Sequence, residues 1–176
     1  GLGFRIIQKY YDVRAEPLSP DTPLIFATGP LTGSKMFGAA RHSIVSFSPL
    51  TNTIFDSLSG GFFASELKFA GYNAIVIEGK SEQPVYIRIQ DGTVEIKDAT
   101  HLWGKTVSET IRELTSDLGK DFKIATIGPA GENLVKFSSM IVDYHFAAGR
   151  TGMGAVMGSK RLKAIAVHGT TGPPIY

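Results

Sequence analysis

The chain has 176 residues, of which 43% are hydrophobic and 19% charged, with a formal net charge of +2 and no cysteine. This is the size and balance of one ordinary soluble globular domain. Disulfides, thiolate-held zinc and any iron–sulfur cluster ligated by this chain alone are excluded. The charge is too small to argue for nucleic acid, and no apolar run is long enough to span a bilayer. His42, His101, His145 and His168 lie far apart and form no short metal-ligand motif. The first residues, Gly1-Leu2-Gly3-Phe4-Arg5, have neither a methionine nor a signal-peptide layout, so they read as a chain trimmed at its start.

Taken in order, Gly3 to Asp12 sets Phe4, Ile7 and Tyr11 on one helical face before the turn Pro17-Leu18-Ser19-Pro20. Leu24 to Thr28 is a short apolar strand closed by Gly29-Pro30, and Leu31 to Ala40 is a loop that delivers Arg41 to the strand Ser43 to Ser48. Arg41 is either an anion ligand or a solvated strand-end charge. Thr53 to Leu58 is a strand leading into Ser59-Gly60-Gly61, after which Phe62 to Ala70 is a helix ending at Gly71. A Ser-Gly-Gly turn opening a helix favours an anion, or Ser59 merely caps the helix.

Asn73 to Glu78 is a nearly unbroken apolar strand. Val85 to Ile89 and Thr93 to Lys97 alternate around Asp91-Gly92, the strongest hairpin signal in the chain. Thr106 and Glu109 fit a capping box, and Val107, Ile111, Leu114 and Leu118 form one apolar stripe stopped by Gly119. Phe122 to Ile127 is a strand ending in the turn Gly128 to Asn133, Val135 to Val142 is another, and Leu162 to Val167 closes the domain. Hairpins mixed with irregularly spaced helices argue for an α+β, mainly β-sheet fold and against a doubly wound sheet.

Between those last strands, Asp143 to Lys160 holds Gly149, Gly152, Gly154 and Gly158 around Arg150. Closely spaced glycines let successive N–H groups converge on an anion, and Arg150 adds a planar fork of donors. The alternative is a tight turn before a buried helix. The stretch has neither P-loop nor dinucleotide-fold spacing. Ser59 lacks a nucleophile elbow, and nothing in the sequence brings Asp56, Asp143 and His145 together as a triad.

Several long motifs nevertheless occur in one order: Gly29-Pro30-Leu31-Thr32-Gly33, Ser59-Gly60-Gly61, Glu66-Leu67-Lys68-Phe69-Ala70-Gly71-Tyr72, His101-Leu102-Trp103-Gly104-Lys105, Ile127-Gly128-Pro129-Ala130-Gly131-Glu132-Asn133, Ala147-Ala148-Gly149-Arg150 and Gly154 to Lys160. Over nearly its whole length the chain resembles the N-terminal domain of the tungsten-containing aldehyde:ferredoxin oxidoreductases. The resemblance implies a domain, residues 1–176, lacking its first strands and all catalytic C-terminal domains. It implies a base for a tungsten or molybdenum bis-pyranopterin cofactor whose phosphates are bridged by magnesium. By position, Arg41, Ser59, Gly60, Gly61, Ala147, Ala148, Gly149 and Arg150 would bind the cofactor, with Ala147 holding magnesium through its backbone carbonyl.

The resemblance further implies a cytoplasmic enzyme that oxidises small aldehydes to carboxylic acids and passes electrons through a 4Fe-4S cluster, held in the missing domains, to ferredoxin. A homo-oligomer is compatible with it, and neither nucleic acid nor membrane is an expected partner. The isolated chain should be inactive, because the cluster cysteines and proton-transferring residues lie elsewhere. Two positions depart from the family: Leu58 stands where asparagine is common and Phe146 where arginine is common. Loss of that arginine removes a cation and a fork of donors, which motivates the alternative of a non-catalytic scaffold or assembly module.

Overall fold

The computed structural model describes residues 1–12 and 14–172. Helix α1 (Leu2–Tyr10) buries Gly3 and Ile7. Gly3 permits close approach, since a Cβ there would stand 2.5 Å from Cγ2 of Val45. The expected stripe is corrected accordingly: Phe4 is exposed, and Tyr11 follows the helix instead of lying on it. Strands β1 (Leu24–Thr28), β2 (His42–Phe47) and β3 (Ile54–Ser59) come next, followed by helix α2 (Phe63–Phe69) and strand β4 (Ala74–Ile77).

The hairpin β5 (Val85–Gln90) and β6 (Thr93–Asp98) turns at Asp91 and Gly92, whose φ angles of 44° and 83° are those a tight primed turn demands. Helix α3 (Val107–Leu118) carries the complete capping box of Thr106 and Glu109. Then follow β7 (Lys123–Thr126), α4 (Pro129–Glu132), β8 (Met140–Val142), β9 (Phe146–Ala148), α5 (Met153–Ser159) and β10 (Leu162–His168).

Three expectations change here. The turn Gly128 to Asn133 contains α4, which Pro129 starts with its preset φ. The strand over Val135 to Val142 shrinks to Met140–Val142, because Val135 and Ser138 close turns onto Ala130 and Val135. The glycine-rich stretch divides into β9 and α5, and every residue of α5 is buried.

Two sheets result, in the orders β3-β2-β1-β4 and β6-β5-β10-β7-β8-β9. Pairing is antiparallel throughout except between β10 and β5. Between the sheets lies the main core, where Leu24, Phe26 and Ile44 meet Ile87, Ile89, Ile165 and Val167. Helices α2 and α5 are part of that core, through Phe63 and Leu67 and through Met153, Val156 and Met157. Helix α1 covers the outer face of the first sheet through Ile7 and Val45, and α3 the outer face of the second through Ile111, Leu114 and Ile124. A buried ion pair, Lys163 with Glu132, ties β10 to α4.

The chain is therefore built twice. The run α1-β1-β2-β3-α2-β4 recurs as α3-β7-β8-β9-α5-β10, with α4 added between β7 and β8, the same strand neighbours and the same placement of the other helices. Traces survive in sequence: Gly29-Pro30 and Gly128-Pro129 follow the first strand of each unit, and Ala74-Ile75-Val76-Ile77-Glu78-Gly79 is echoed by Ala164-Ile165-Ala166-Val167-His168-Gly169.

Candidate functional site

The edge strands of the two sheets, β3 and β9, lie against each other. Each is the third strand of its unit, and each runs into a glycine-containing turn before an inner helix. In the pairing of β3 with β2, His42 faces Ser59 and Ile44 faces Ser57, so the two serines and His42 share the inner face. The turn after β9 is laced to the first sheet there. Arg150 N–H donates to Ser57 Oγ at 3.4 Å, and Ser48 Oγ donates to the Thr151 carbonyl at 2.8 Å.

Asp143, in the β8–β9 turn, fixes the other half. Its Oδ2 accepts from Phe62 N–H at 3.3 Å, at the start of α2, and its Oδ1 accepts from Ile124 N–H of β7 at 3.0 Å. Burial pushes its pKa up, opposed by these two backbone donors. Asp143 and Tyr144 are both left-handed, with φ 48° and 66°, and so turn the chain directly into Phe146. The Phe146 ring lies on the glycine turn: a Cβ on Gly60 would stand 2.9 Å from its Cδ1, and one on Gly61 2.9 Å from its Cδ2. Around this turn Leu58, Phe62, Tyr144 and Phe146 remain exposed.

The structure thus brings Ser59, Gly60, Gly61, Ala147, Ala148, Gly149 and Arg150 to one edge. Ala148 points its side chain into the core, whereas Ala147, Gly149 and Arg150 are exposed. Arg41 is set apart, lining a cleft of about 400 Å³ against α1 with Phe4, Ser43, Asp56 and Leu58. Both arginines are held by their backbones, Arg41 through its carbonyl and Arg150 through its N–H and carbonyl. Among the described residues neither guanidinium has a partner, so both remain available to an anion.

The glycines of the long stretch are corrected in part. Gly152, Gly154 and Gly158 do not face outward. A Cβ on Gly152 would meet the Lys136 carbonyl oxygen at 1.9 Å, on Gly154 that of Ser139 at 2.6 Å, and on Gly158 that of Gly131 at 2.0 Å. They let α5 pack directly on the backbone of Gly131 to Ser139, and only Gly149 belongs to the edge.

Sequence reasoning missed Asp143 as an anchor, and it missed His42. That imidazole is 2% exposed, flanked by Phe63 at 5.3 Å and Phe26 at 6.3 Å between ring centroids. Burial pushes its pKa down to about 4, so it is neutral at pH 7. Neither its ring nitrogens nor the neighbouring Ser59 Oγ has a hydrogen-bond partner. Buried polar atoms without partners call for an explanation, and these lie at the root of the exposed edge. Among the described residues no group of three or more His, Asp or Glu is arranged to hold a metal ion. A metal at this edge would take its donors from backbone or from a ligand of its own.

Comparison with known proteins adds the decisive observation: the family model described as aldehyde ferredoxin oxidoreductase, N-terminal domain, matches residues 1–169. The chain belongs to this family. It is 55% identical to the tungsten-containing aldehyde ferredoxin oxidoreductase of Pyrococcus furiosus, over 99% of its own length and 29% of that protein. The Thermococcus kodakarensis enzyme of the same description is 54% identical with the same coverage. The aliphatic sulfonate oxidoreductase, WOR-like subunit, of Pyrococcus furiosus is 41% identical over 97% of this chain and 30% of that one. Among solved structures, the active site complex BamBC of benzoyl coenzyme A reductase superposes with a TM-score of 0.93 at 42% identity, over 96% of this chain and 26% of that one. The chain therefore spans under a third of the length of the relatives it matches. Among its described residues no helix is long and apolar enough to cross a membrane.

Proposed function

We propose that this chain is the domain on which a bis-pyranopterin cofactor of tungsten, or molybdenum, rests in an oxidoreductase that converts aldehydes to carboxylic acids with ferredoxin as electron acceptor. The observation that carries this reading is the meeting of β3 and β9, where the ends of two like units offer two like turns to a ligand made of two like halves. The donors suit an anionic, hydrogen-bonding group: an unpartnered guanidinium at Arg150 and exposed backbone at Ala147 and Gly149, with Ser59 contributing through its backbone. Arg150 would take phosphate, and Arg41 would add a second cation from its cleft. The carbonyls of Ala147 and Leu58 would serve magnesium, while Gly60, Gly61 and Ala148 would contribute backbone alone. Bound there, the metal group supplies two-electron aldehyde chemistry. This chain orients it and shields it from water with Leu58, Phe62 and Phe146. The 4Fe-4S cluster, the aldehyde-facing residues and the ferredoxin surface belong to further domains of a cytoplasmic enzyme.

A second reading has its own observation. The Phe146 ring covers the Gly60-Gly61 turn where the family commonly has arginine, which favours a scaffold that kept the fold without the cofactor. Tungsten, molybdenum, magnesium and phosphate-bearing pterin, measured in the intact protein from cells supplied with both metals, separate the two. Stoichiometric metal and pterin, with reduced retention in Arg150→Ala, support the cofactor reading. Full retention in that variant moves the ligand off this edge, and an empty wild-type protein favours the scaffold.

A further inference from the structure

His42 and Ser59 are neighbours in a polar row that crosses the first sheet. Thr28, His42 and Ser59 stand opposite one another on β1, β2 and β3. Strand alternation places all three on the inner face, one row beyond Phe26, Ile44 and Ser57. Other polar side chains of that face are satisfied. Thr28 Oγ1 donates to the Asn73 carbonyl at 2.8 Å, Ser46 Oγ donates to the Pro23 carbonyl at 2.7 Å, and Ser57 Oγ accepts from Arg150 N–H. His42 and Ser59, 2% and 3% exposed, are the exceptions, and they are each other's cross-strand partner.

His42 meets both ends of the glycine turn. Ser59, the last residue of β3, opens the turn, and Phe63, the first of α2, closes it with its ring 5.3 Å from the imidazole. Phe26 stacks on the same imidazole, with the two ring planes 17° apart. Aromatic neighbours therefore set the ring's orientation. A neutral imidazole offers one donor and one acceptor, and a serine hydroxyl offers both. The two side chains differ in reach: the hydroxyl ends one bond beyond Cβ, whereas the ring nitrogens lie farther from the strand. Between cross-strand neighbours of unequal length, a water supplies the missing bond, and buried waters are held by polar atoms of this kind.

We propose that His42 is a positioning residue for the cofactor-facing turn: its imidazole holds Ser59 Oγ through one internal water and so fixes Gly60 and Gly61 from beneath. The role rests on this edge being the cofactor's seat, whereas the water bridge belongs to the chain itself. From the other side the Phe146 ring presses on the same two glycines, and Asp143 Oδ2 accepts from Phe62 N–H at 3.3 Å. The turn is thus held from below by His42 and from the β8–β9 side by Asp143 and Phe146. Loss of either member of the His42–Ser59 couple leaves the other buried and short of a partner, which loosens the turn from below.

Hydrogen exchange in the intact protein, from cells grown without tungsten or molybdenum, reads the turn without its ligand. Amides of Gly60, Gly61 and Phe62 should exchange about fivefold faster or more in His42→Phe and in Ser59→Ala, while β1 and α3 stay unchanged. The double variant should be no faster than the faster single one, because the two groups act as one couple. His42→Gln, which keeps a donor and an acceptor, should restore most of the protection. Wild-type exchange in both single variants, or effects that add in the double, would overturn the proposal. So would a high-resolution structure of the intact protein with no water in hydrogen-bonding reach of both a His42 nitrogen and Ser59 Oγ. In metal-loaded protein, pterin retention should fall in His42→Phe and recover in His42→Gln, and equal retention in the two would overturn the positioning role. An empty wild-type protein overturns the cofactor reading instead, a failure the exchange comparison does not share.

Discussion

The ring of Phe146 rests on the backbone of Gly60, so near that a Cβ added to the glycine would stand 2.9 Å from Cδ1. Gly60 is therefore a glycine for want of room, whereas Gly61 is also required by its φ of +85°. The two positions should answer differently to the same change. Gly60→Ala is expected to cost about 1–3 kcal/mol, most of it recovered when Phe146→Ala is added. Gly61→Ala should stay costly in the same double variant, because the backbone strain persists. Denaturant unfolding of the four proteins provides the cycle, and equal rescue at both positions would contradict it.

Gly158 tests the packing account of the long glycine stretch. A Cβ there would lie 2.0 Å from the Gly131 carbonyl oxygen, and both partners are backbone. Gly158→Ala should destabilise the protein by about 3 kcal/mol or more, while Gly149→Ala, with its nearest contact at 3.7 Å, should cost far less. Thermal unfolding of the two variants gives the comparison.

The Lys163–Glu132 pair is almost wholly removed from water, with side chains 0% and 4% exposed. Lys163 also donates to the Lys105 carbonyl at 2.8 Å. Lys163→Met leaves the buried Glu132 carboxylate without its counter-ion, holding only the Gly104 N–H at 2.8 Å, a loss of about 3–5 kcal/mol. Adding Glu132→Leu should restore much of that. Urea midpoints for the single and double variants check the sign.

His42 predicts a pH dependence. Its folded pKa, near 4, lies below the ordinary histidine value of 6.5. The unfolded chain therefore binds the proton more readily. The stability held above pH 6.5 is lost as pH falls toward 4, by about 3 kcal/mol from this group alone. His42→Phe fills the same space between Phe26 and Phe63 without a titrating nitrogen, and should lose this limb of the acid profile. An unchanged profile would mean that His42 is solvated.

Local signals in the chain carried most of the elements. The Asp91-Gly92 hairpin, the capping box of α3 and the apolar strands β1, β4 and β10 are all formed where their periodicity placed them. The α+β class followed from them. What stayed hidden was long-range. Asp143 reads as an ordinary turn residue until its carboxylate is seen to hold Phe62 and Ile124, which are distant in sequence. The three glycines of α5 and its N-terminal turn looked like a loop because close backbone packing and ligand cradles demand the same residue. Arg41 came from the same resemblance as the other site residues, yet it lines the cleft against α1. The duplication was not read from the sequence: two Gly-Pro turns are too short a trace, and only the strand pairing reveals it.

Anomalous diffraction at a tungsten absorption edge, from crystals of the intact protein with metal incorporated, tests the central claim most directly. The account predicts a metal-bearing ligand over the β3–β9 edge, in contact with Arg150 and the backbone of Gly60, Ala147 and Gly149. Metal bound elsewhere, with the Phe146 ring closing an edge that touches no ligand, would contradict it.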